Sequence, residues 1–476
     1  MTALVIRGGH LVDPAAGVDL DKDILLKDGR VAEIASPGKL KQAEGAEVLD
    51  ATGLTVAPGL IDMHVHLREP GQGYKETIAT GTAAAAAGGF TAVAAMPNTF
   101  PVNDSPEITR WMQVPERGAS IRVFPIAAAT RGSKGEAIND YAALKSAGAV
   151  AVSDDGLPIL KDSVMREALA AAARVGLTVI QHAEDTRITH VADKVAAMNA
   201  GPTAFKLGLR GWPNEAESGI VERDIRLVAE LREARAHLHV AHISTAAALA
   251  AVRQARRNGL RVTCEVAPHH FLLADEHVGL YDTNAKMCPP LRSAADRDAL
   301  IEALLDGVID AIATDHAPHA VHEKEVEFER APNGIIGLET ALGLCLRWLH
   351  HEWKLPLGRV LSLLSAQPAA LLGLKGRGTL AVGSFADVVV FDPKAEWTYN
   401  ARQGKSKSHN SPFDGWTMQG RVELQRARNQ VQVPQYAFRR LDHAGPGPLD
   451  HQRRAGGVFV RSGAEAGGPF VMKVDV

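Results

Sequence analysis

Residues 60–71, LIDMHVHLREPG, place two histidines at alternate positions at the end of an apolar run. In a β-strand, side chains two positions apart point to the same face, so His64, His66 and Arg68 would project the same way. The two imidazoles could be structural histidines, or they could be half of a metal site beside a guanidinium that binds an anion. The rest of the chain has to decide between these interpretations.

Residues 58–374 alternate short apolar runs with Ala- and Leu-rich stretches of helical periodicity, which is typical of βα units around a parallel sheet. Eight units over this length match a (β/α)8 barrel, so the predicted fold class is α/β with a TIM-like barrel. The predicted strands are GLIDMHVHL, FTAVAAMPN, IRVFPIAAA, GAVAVSDDG, LTVIQHAED, LHVAHIST, RVTCEVAPHH and DAIATDHAPH.

The two ends of the chain have a different character from the barrel segment. Residues 1–57 read as short strands with turns, including a hairpin signal at Asp28-Gly29, and residues 375–422 return to this pattern with the strand ADVVVFD. Because isolated hairpins are only marginally stable, we expect both segments to form one small β-sandwich domain. Residues 423–476 contain no lysine before Lys473, and we expect an atypical tail that is disordered or derives from a frameshifted gene end.

The composition excludes several classes of protein. Hydrophobic residues make up 46% of the chain and charged residues 22%, which indicates a globular protein. A net charge of −3 gives no electrostatic reason to expect binding to nucleic acid or to an anionic membrane. Three widely separated cysteines predict no disulfide framework, and no segment resembles a signal peptide or a membrane span. We therefore expect a cytoplasmic protein.

Polar, metal-competent side chains follow five of the predicted strands, where barrel enzymes build their active sites. A lone H-x-H pair is more often structural, and SDDG alone is more often a turn. Together they favour a hydrolytic metal site, because zinc accepts imidazole and carboxylate ligands and can leave one position open for water. Asp155, beside Asp154, is the best candidate to bridge two metals. The residues are His64, His66, Asp154, Asp155, His182, His242 and Asp315, with His319 just beyond.

Arg68 and Asn98 allow two interpretations each. Arg68 could be a solvated surface residue, and Asn98 could be a turn residue after Pro97. However, Arg68 lies two residues beyond His66, on the side of the ligands, where its guanidinium would hold a carboxylate.

These motifs together resemble those of the dihydroorotases of the bacterial class I type, within the amidohydrolase superfamily. The resemblance runs from residue 58 to about residue 375 through DMHVHLREPG, MPNT, SDDG, QHAED, AHIST, EVAPHH, KMCPPLR, ATDHAPH and NGIIGLETAL. It implies one or two zinc ions per subunit. His64, His66 and Asp315 would bind one ion, His182 and His242 would bind the second, and Asp155 would bridge them.

The resemblance also implies a reaction, the reversible cyclisation of N-carbamoyl-L-aspartate to L-dihydroorotate plus water, in de novo pyrimidine biosynthesis. A zinc-bound hydroxide would attack in the hydrolytic direction, with Asp315 as the acid and base. Many relatives carry a substrate-contacting Asn where this chain has Cys288; a thiol is a weaker donor, or Cys288 is simply a small buried residue. The implied substrate contacts are His66, Arg68, Asn98, Cys288, His319, Asn333 and Gly334.

Two alternatives remain open. Hydantoinases and allantoinases are related cyclic-amide hydrolases, but they typically bridge their metals with a carboxylated lysine on strand four, and GAVAVSDDG has no lysine. Inactive dihydroorotase-like chains serve as scaffolds for aspartate transcarbamoylase, but they usually lack the metal ligands that this chain retains. Binding to the transcarbamoylase and homo-oligomer formation are compatible with activity.

Overall fold

The chain begins with five short strands that precede the barrel. The structure, a computed structural model, describes residues 3–40, 45–191, 194–427 and 430–432. Asp28 and Gly29 both have positive φ, 50° and 75°, as a tight hairpin turn between β-strands requires, and they join the second strand to the third. The five strands are β1 (Ala3–Asp13), β2 (Val18–Lys27), β3 (Arg30–Ala35), β4 (Glu47–Asp50) and β5 (Thr55–Pro58).

All eight barrel strands predicted from the sequence are present, and each pairs in parallel with the next. The first five are β6 (Leu60–Val65), β7 (Phe90–Ala95), β8 (Arg122–Ala128), β9 (Ala151–Ser153) and β10 (Thr178–Gln181). Two small sheets follow, formed by β11 (His190–Val191) with β12 (Lys194–Val195) and by β13 (Met198–Asn199) with β14 (Gly211–Trp212). The barrel then continues with β15 (Leu238–Val240), β16 (Val262–Val266) and β17 (Ala311–Ile312).

The barrel closes where the last strand returns to the first. The backbone N–H of His66 donates to the carbonyl of His316 at 2.8 Å, next to a bridge between Val65 and His316. The buried Asp62 carboxylate accepts hydrogen bonds from the backbone N–H groups of Thr314 (3.2 Å) and His64 (3.1 Å). This closure holds the loop after β17 against the end of β6, which brings the two halves of the predicted metal site together.

Helices alternate with the barrel strands, as the periodicity predicts. Thr245 and Ser293 each cap a helix by accepting a hydrogen bond from the third backbone N–H of the first turn. No helix in the described ranges is long and apolar enough to cross a membrane. The helices are α1 (Ile78–Ala87), α2 (Pro106–Trp111), α3 (Tyr141–Ser146), α4 (Asp162–Val175), α5 (Thr186–Thr189), α6 (Pro202–Leu207), α7 (Glu215–Glu230), α8 (Ala246–Arg257), α9 (Pro268–Leu272), α10 (Ala294–Leu305), α11 (Val321–Lys324), α12 (Ala341–Leu344) with a π-helical continuation (Cys345–Glu352), α13 (Leu357–Leu364) and α14 (Ala366–Leu371).

The end of the described chain returns to the first sheet through β18 (Val388–Thr398), β19 (Thr417–Ala427) and β20 (Gln430–Gln432). β18 pairs antiparallel with β5, so both chain ends contribute to one sheet. The sheet is continuous and branched, because β1 pairs with β2 on one edge and with both β4 and β5 on the other.

The predicted tail overlaps with this sheet. Residues 423–427 belong to β19 and residues 430–432 form β20, because both continue the antiparallel pairing that starts at β18. The strand therefore runs past the boundary at residue 422 that the composition predicts. The rest of the predicted tail, residues 433–476, lies outside the described residues.

Candidate metal centre and substrate site

The six metal ligands that the sequence predicts lie together at the C-terminal ends of the barrel strands, and all six are buried. His64 lies in β6 and His66 follows it, and their Nε2 atoms lie 3.5 and 3.1 Å from Asp315 Oδ1, beyond β17. His182 follows β10 and His242 follows β15; His182 Nδ1 lies 3.0 Å from His242 Nε2. The structure thus brings together side chains from distant parts of the sequence.

Asp155 stands between the four imidazoles. Its Oδ1 atom lies 3.3 Å from His64 Nε2, 3.8 Å from His182 Nδ1 and 3.7 Å from His242 Nε2. Its Oδ2 atom lies 3.5 Å from His66 Nε2. One carboxylate that faces both pairs of histidines has the position that a bridging ligand needs.

Asp154, the other aspartate of SDDG, has a different role. Its carboxylate accepts a hydrogen bond from the backbone N–H of Thr130 at 2.9 Å and another from the Thr130 hydroxyl. Asp154 therefore fastens the loop after β8 to the loop after β9. Between the two adjacent aspartates, the geometry favours Asp155 as the ligand.

The outward nitrogen atoms of His64 and His66 are held by oxygen acceptors. His64 Nδ1 lies 2.7 Å from Glu265 Oε1 in β16, and His66 Nδ1 lies 2.8 Å from Asn98 Oδ1. We assign the proton to Nδ1 in both rings, because the partner oxygen can only accept it. With Nδ1 protonated, the nitrogen of each ring that can exchange a proton for a cation is Nε2, and it points to the centre, as in histidines that bind metals.

The charged groups within the centre shift one another's pKa values. Burial alone would lower the pKa of His64, but the carboxylates of Asp155 and Glu265 outweigh it and raise the pKa well above its usual value. Burial would raise the pKa of Asp155 and Asp315, but the neighbouring imidazoles hold both pKa values below the usual range. The carboxylates therefore stay ionised and stabilise positive charge placed among them.

The donor set fits a divalent metal ion. His64 Nε2 and Asp155 Oδ1 are buried without a hydrogen-bond partner among the described residues, although they lie 3.3 Å apart. Such atoms cost about 1–3 kcal/mol each unless something binds them. Two overlapping groups, His64 with Asp155 and His242, and His64 with His66 and Asp315, each bring three donor atoms within 4.8 Å. Imidazole nitrogen and carboxylate oxygen are ligands that zinc accepts.

The backbone is strained at three of the predicted site residues. Arg68, His242 and Asp315 have positive φ values of 61°, 31° and 49°. A residue with a Cβ atom rarely adopts this conformation, which costs of the order of 1–3 kcal/mol and persists only where the surroundings enforce it. The fold therefore fixes the direction of these side chains at a cost in stability.

Four of the predicted substrate contacts form a second cluster beside the proposed metal ligands. The guanidinium Nε of Arg68 donates to the carbonyl of Pro318 at 3.1 Å, and Nη2 lies 3.3 Å from His319 Nε2. His319 Nε2 also lies 2.8 Å from the carbonyl oxygen of Asn333. Gly334 has φ +129°, and a Cβ atom there would lie 2.6 Å from the Cβ of Ala317, so only glycine fits.

Two buried lysines near this cluster were not singled out from the sequence. Lys286 donates to the carbonyls of Phe328 and Ala331 at 2.7 Å, and Lys324 donates to that of Gly334 at 3.1 Å. Burial lowers the pKa of Lys286 to about 8 and that of Lys324 to about 7. Both lysines hold the segment that carries Asn333 and Gly334. Lys286 belongs to the motif KMCPPLR, in which the sequence predicts a role for the cysteine only.

Cys288 is partly buried beside His182. Its Sγ atom lies 3.4 Å from His182 Nε2 and 3.8 Å from Glu184 Oε2. Burial and the nearby carboxylates raise the pKa of the thiol well above its usual value. Polar groups therefore face the thiol, which separates Cys288 from the core cysteines Cys264 and Cys345.

Comparisons with known proteins agree with the motifs. A family model described as "Dihydro-orotase-like" matches residues 53–248. A dihydroorotase of Geobacter sp. (strain M21) is 51% identical over 429 residues, which cover 90% of this chain and 98% of the relative. A dihydroorotase of Solibacter usitatus is 50% identical over 418 residues, 88% of this chain and 95% of the relative.

Solved structures with a similar fold include hydantoinases and dihydropyrimidinases. The L-hydantoinase (dihydropyrimidinase) of Arthrobacter aurescens matches with a TM-score of 0.79 and 26% identity over 91% of this chain and 96% of that one. The dihydropyrimidinase of Brevibacillus agri gives a TM-score of 0.77 and 26% identity over 91% and 95%. The barrel is thus that of the cyclic-amide hydrolases, and with about half of its residues identical to dihydroorotases over nearly their full length, the chain belongs to the dihydroorotase family.

Proposed function

We propose that this chain interconverts N-carbamoyl-L-aspartate and L-dihydroorotate plus water, the reaction that the name of its relatives denotes, and so acts in de novo pyrimidine biosynthesis. The observation that carries the proposal is that two clusters lie near one another, close enough for the charges of Asp315 and Asp155 to oppose the effect of burial, which lowers the pKa of Arg68. A centre of four histidines and two aspartates lies beside the group of Arg68, His319 and Asn333. The first suits hydrolysis of an amide, and the second suits recognition of a carboxylate.

We propose that the centre holds one or two zinc ions. When bound, zinc acts as a Lewis acid and lowers the pKa of water from 15.7 to about 7. The ligands in this proposal are His64, His66, Asp155, His182, His242 and Asp315, and the unpartnered Nε2 of His64 and Oδ1 of Asp155 support it.

Asp315 moves the proton in this proposal. Its low pKa means that the carboxylate is ionised at neutral pH and can accept a proton. In the hydrolytic direction, a carboxylate oxygen of Asp315 takes the proton from the attacking water and passes it to the ring nitrogen as the C–N bond breaks. In the biosynthetic direction, the same oxygen takes a proton from the ureido N–H, and the new C–N bond closes the ring with loss of water.

Arg68 and its neighbours orient the substrate. The hydrogen bond from Nε to Pro318 fixes the plane of the guanidinium, which then meets the substrate carboxylate with little further loss of side-chain freedom. Asn98 uses its oxygen to accept from His66, so its Nδ2 group is the donor that it offers to the substrate. His319, Cys288, Asn333 and Gly334 complete the proposed contacts.

The alternative activity is hydrolysis of hydantoins or dihydropyrimidines, which the names of the similar solved structures suggest. Dihydroorotate differs from dihydrouracil by a ring carboxylate, and a buried arginine is needed only for the former. In addition, Asp155 occupies the place of the carboxylated lysine that the resemblance associates with hydantoinases.

The decisive experiment measures turnover of dihydroorotate and of N-carbamoyl-L-aspartate by the purified, zinc-loaded chain. We expect turnover in both directions and a loss of about 10²–10⁴-fold in Asp315→Asn, the usual contribution of a general acid and base. Asp154→Asn is the matched control, since this neighbouring carboxylate faces Thr130 rather than the histidines, and it should keep most of the activity.

Other outcomes point to the alternatives. Faster turnover of hydantoin than of dihydroorotate would assign the chain to the hydantoinase activity. A folded, metal-loaded chain that turns over neither substrate would favour the scaffold role, and addition of aspartate transcarbamoylase would then test it by complex formation.

We further propose a cytoplasmic location, which the three free cysteines support. We also propose that residues 1–57 and 375–422 form the small β domain around the barrel of residues 58–374, because β18 and β19 extend the sheet of β5. The strand β19 continues this domain to Ala427. Light scattering of the chain alone and with aspartate transcarbamoylase tests the proposed homo-oligomer and the proposed complex.

A further inference from the structure

Three ligand atoms lie on the outer side of the proposed centre, and only one of them, the sulfur of Cys288, has a role in the proposal above, as a substrate contact. They are His182 Nε2, Glu184 Oε2 and Cys288 Sγ, which lie within 4.8 Å of one another. The nitrogen and the oxygen are 3.2 Å apart, the sulfur and the nitrogen 3.4 Å, and the sulfur and the oxygen 3.8 Å. His182 and Glu184 are buried, and Cys288 is partly buried.

These distances match those between the ligands of a tetrahedral zinc ion. Bonds of about 2.0–2.1 Å to nitrogen, 2.0–2.2 Å to oxygen and 2.3 Å to sulfur place such ligands about 3.3–3.6 Å apart. The three observed distances deviate from that range by about 0.2 Å or less. An ion could therefore bind without movement of the backbone.

We propose that His182, Glu184 and Cys288 form a further metal site, which takes a borderline or soft divalent cation such as zinc or cadmium. A thiolate ligand favours these ions over magnesium or calcium, which prefer oxygen. On binding, the Cys288 thiol and His182 Nε2 each release one proton to solvent, so that both atoms offer a lone pair to the ion. Because His182 Nδ1 faces His242 at 3.0 Å, one imidazole then links this site to the neighbouring centre.

Neighbouring groups already orient the carboxylate. The hydroxyl of Thr189 donates to Glu184 Oε1, and His190 Nε2 lies 3.4 Å from the same oxygen. This leaves Oε2 directed at His182 and Cys288. Partners of this kind, which hold the ligands of a metal in place, accompany most metal sites in proteins.

The resemblance to dihydroorotases does not imply this site, because the site depends on Cys288. Where KMCPPLR has Cys288, the motif in many relatives has an Asn, and an amide cannot supply a thiolate. The six ligands of the proposed catalytic centre contribute only nitrogen and oxygen. Because Cys264 and Cys345 lie in the apolar core, a sulfur–metal bond in this protein would involve Cys288.

The test is a titration of the metal-free full-length chain with cadmium chloride, followed by ultraviolet absorption and by elemental analysis of the bound metal. We expect a sulfur-to-cadmium charge-transfer band in the wild-type protein, and about one more bound ion per chain than in Cys288→Asn. The band should be absent from Cys288→Asn and from Cys288→Ser. Circular dichroism and thermal unfolding check that each variant is folded.

Cys345→Ala is the matched control, because Cys345 lies in the apolar core and should not affect the band. A wild-type protein without the band at saturating cadmium would overturn the proposal, and so would a band that persists in Cys288→Asn. Because neither readout depends on turnover, failure of the proposed dihydroorotase activity would leave this result unaffected.

Discussion

The carboxylate of Glu265 fixes the tautomer of His64, one of the proposed metal ligands. It is buried in β16, accepts a hydrogen bond from His64 Nδ1 through Oε1, and its Oε2 lies 3.4 Å from His239 Nε2. Burial would raise its pKa, but the imidazoles of His64 and His239 outweigh this and lower the pKa to about 2. Glu265 therefore stays ionised and keeps the proton of His64 on the nitrogen that faces away from the centre.

We predict that Glu265→Gln weakens zinc binding by about 10–100-fold, the usual effect of losing such a partner. The amide has the same shape, but it can donate as well as accept, so it no longer fixes the tautomer of His64. Competition with a chromophoric chelator measures the affinity. Glu339→Gln is the control, because its carboxylate accepts from the backbone N–H of Lys405 at 2.6 Å and lies outside the centre. Equal zinc affinity in wild type and Glu265→Gln would contradict the prediction.

The position of the proposed metal ligands is easier to predict from the sequence than that of the residues that support them. His64, Asp155 and Asp315 could be predicted because each follows an apolar run, and the C-terminal ends of parallel barrel strands meet at one face. Glu265 could not be singled out, since its role depends on which nitrogen of His64 turns outward. A buried lysine such as Lys286 is equally hidden, because its partners are backbone carbonyls 42–45 residues away.

The sequence predicts that each barrel strand exists, but it does not predict how long each strand is. β9 and β17 contain only three and two residues, although the apolar runs that predict them are longer. The remaining residues of those runs form the loops that carry Asp155 and Asp315. An apolar run cannot reveal where pairing stops, because loop residues at this face are buried as well.

One imidazole connects three neighbouring barrel strands at the opposite ends from the proposed metal ligands. His237 directly precedes β15; its Nδ1 lies 2.9 Å from the hydroxyl of Thr178 in β10, and its Nε2 lies 2.9 Å from that of Thr263 in β16. Burial lowers the pKa of His237 to about 3. The native barrel therefore holds this ring in its neutral form.

We predict that His237 makes the barrel sensitive to acid. In the unfolded chain a histidine has a pKa of about 6.5, so between pH 6.5 and 3 the unfolded state binds more protons, and stability falls as the pH falls. The loss due to this group at pH 5 should be about 1–2 kcal/mol. Urea denaturation at pH 7 and pH 5, with a chelator present, should show a smaller loss in His237→Gln than in wild type.

His10 provides a control of opposite sign. It is exposed between Asp21 and Asp19, which raise its pKa, so its contribution is present at low pH and fades as the pH rises through the folded value. His10→Gln should therefore not reduce the loss between pH 7 and pH 5. An equal loss in wild type and His237→Gln would refute the assignment to His237.

A cluster of arginine side chains around one aromatic ring joins the β-sheet to the barrel. The guanidinium carbons of Arg30 and Arg377 lie 3.9 and 4.0 Å from the ring centre of Phe385, and that of Arg122 lies at 5.3 Å. Asp387 pairs with Arg377. Arg30 belongs to β3 and Arg122 to β8, so the ring connects the two parts of the fold.

We predict that Phe385→Ala lowers the free energy of unfolding by about 2–3 kcal/mol, because it removes the ring that holds the arginines near one another. Phe385→Leu keeps apolar volume without the π face and should show a smaller loss. Urea denaturation measures both, and zinc affinity should not change, because the cluster contains none of the proposed ligands. If Phe385→Ala is as stable as the wild type, contacts other than those of this ring join the β-sheet to the barrel.

The pairing of β5 with β18 has a consequence for how the protein is made. β5 ends at Pro58, and its partner β18 starts at Val388, about 330 residues later. At about 5–20 residues per second, a ribosome takes about 15–65 s to synthesise the intervening chain. During that time the free edge of β5 can pair with the same edge of another nascent chain on the same messenger RNA. We therefore expect slow translation of the barrel to prolong the period in which nascent chains on neighbouring ribosomes can associate through the unpaired edge of β5.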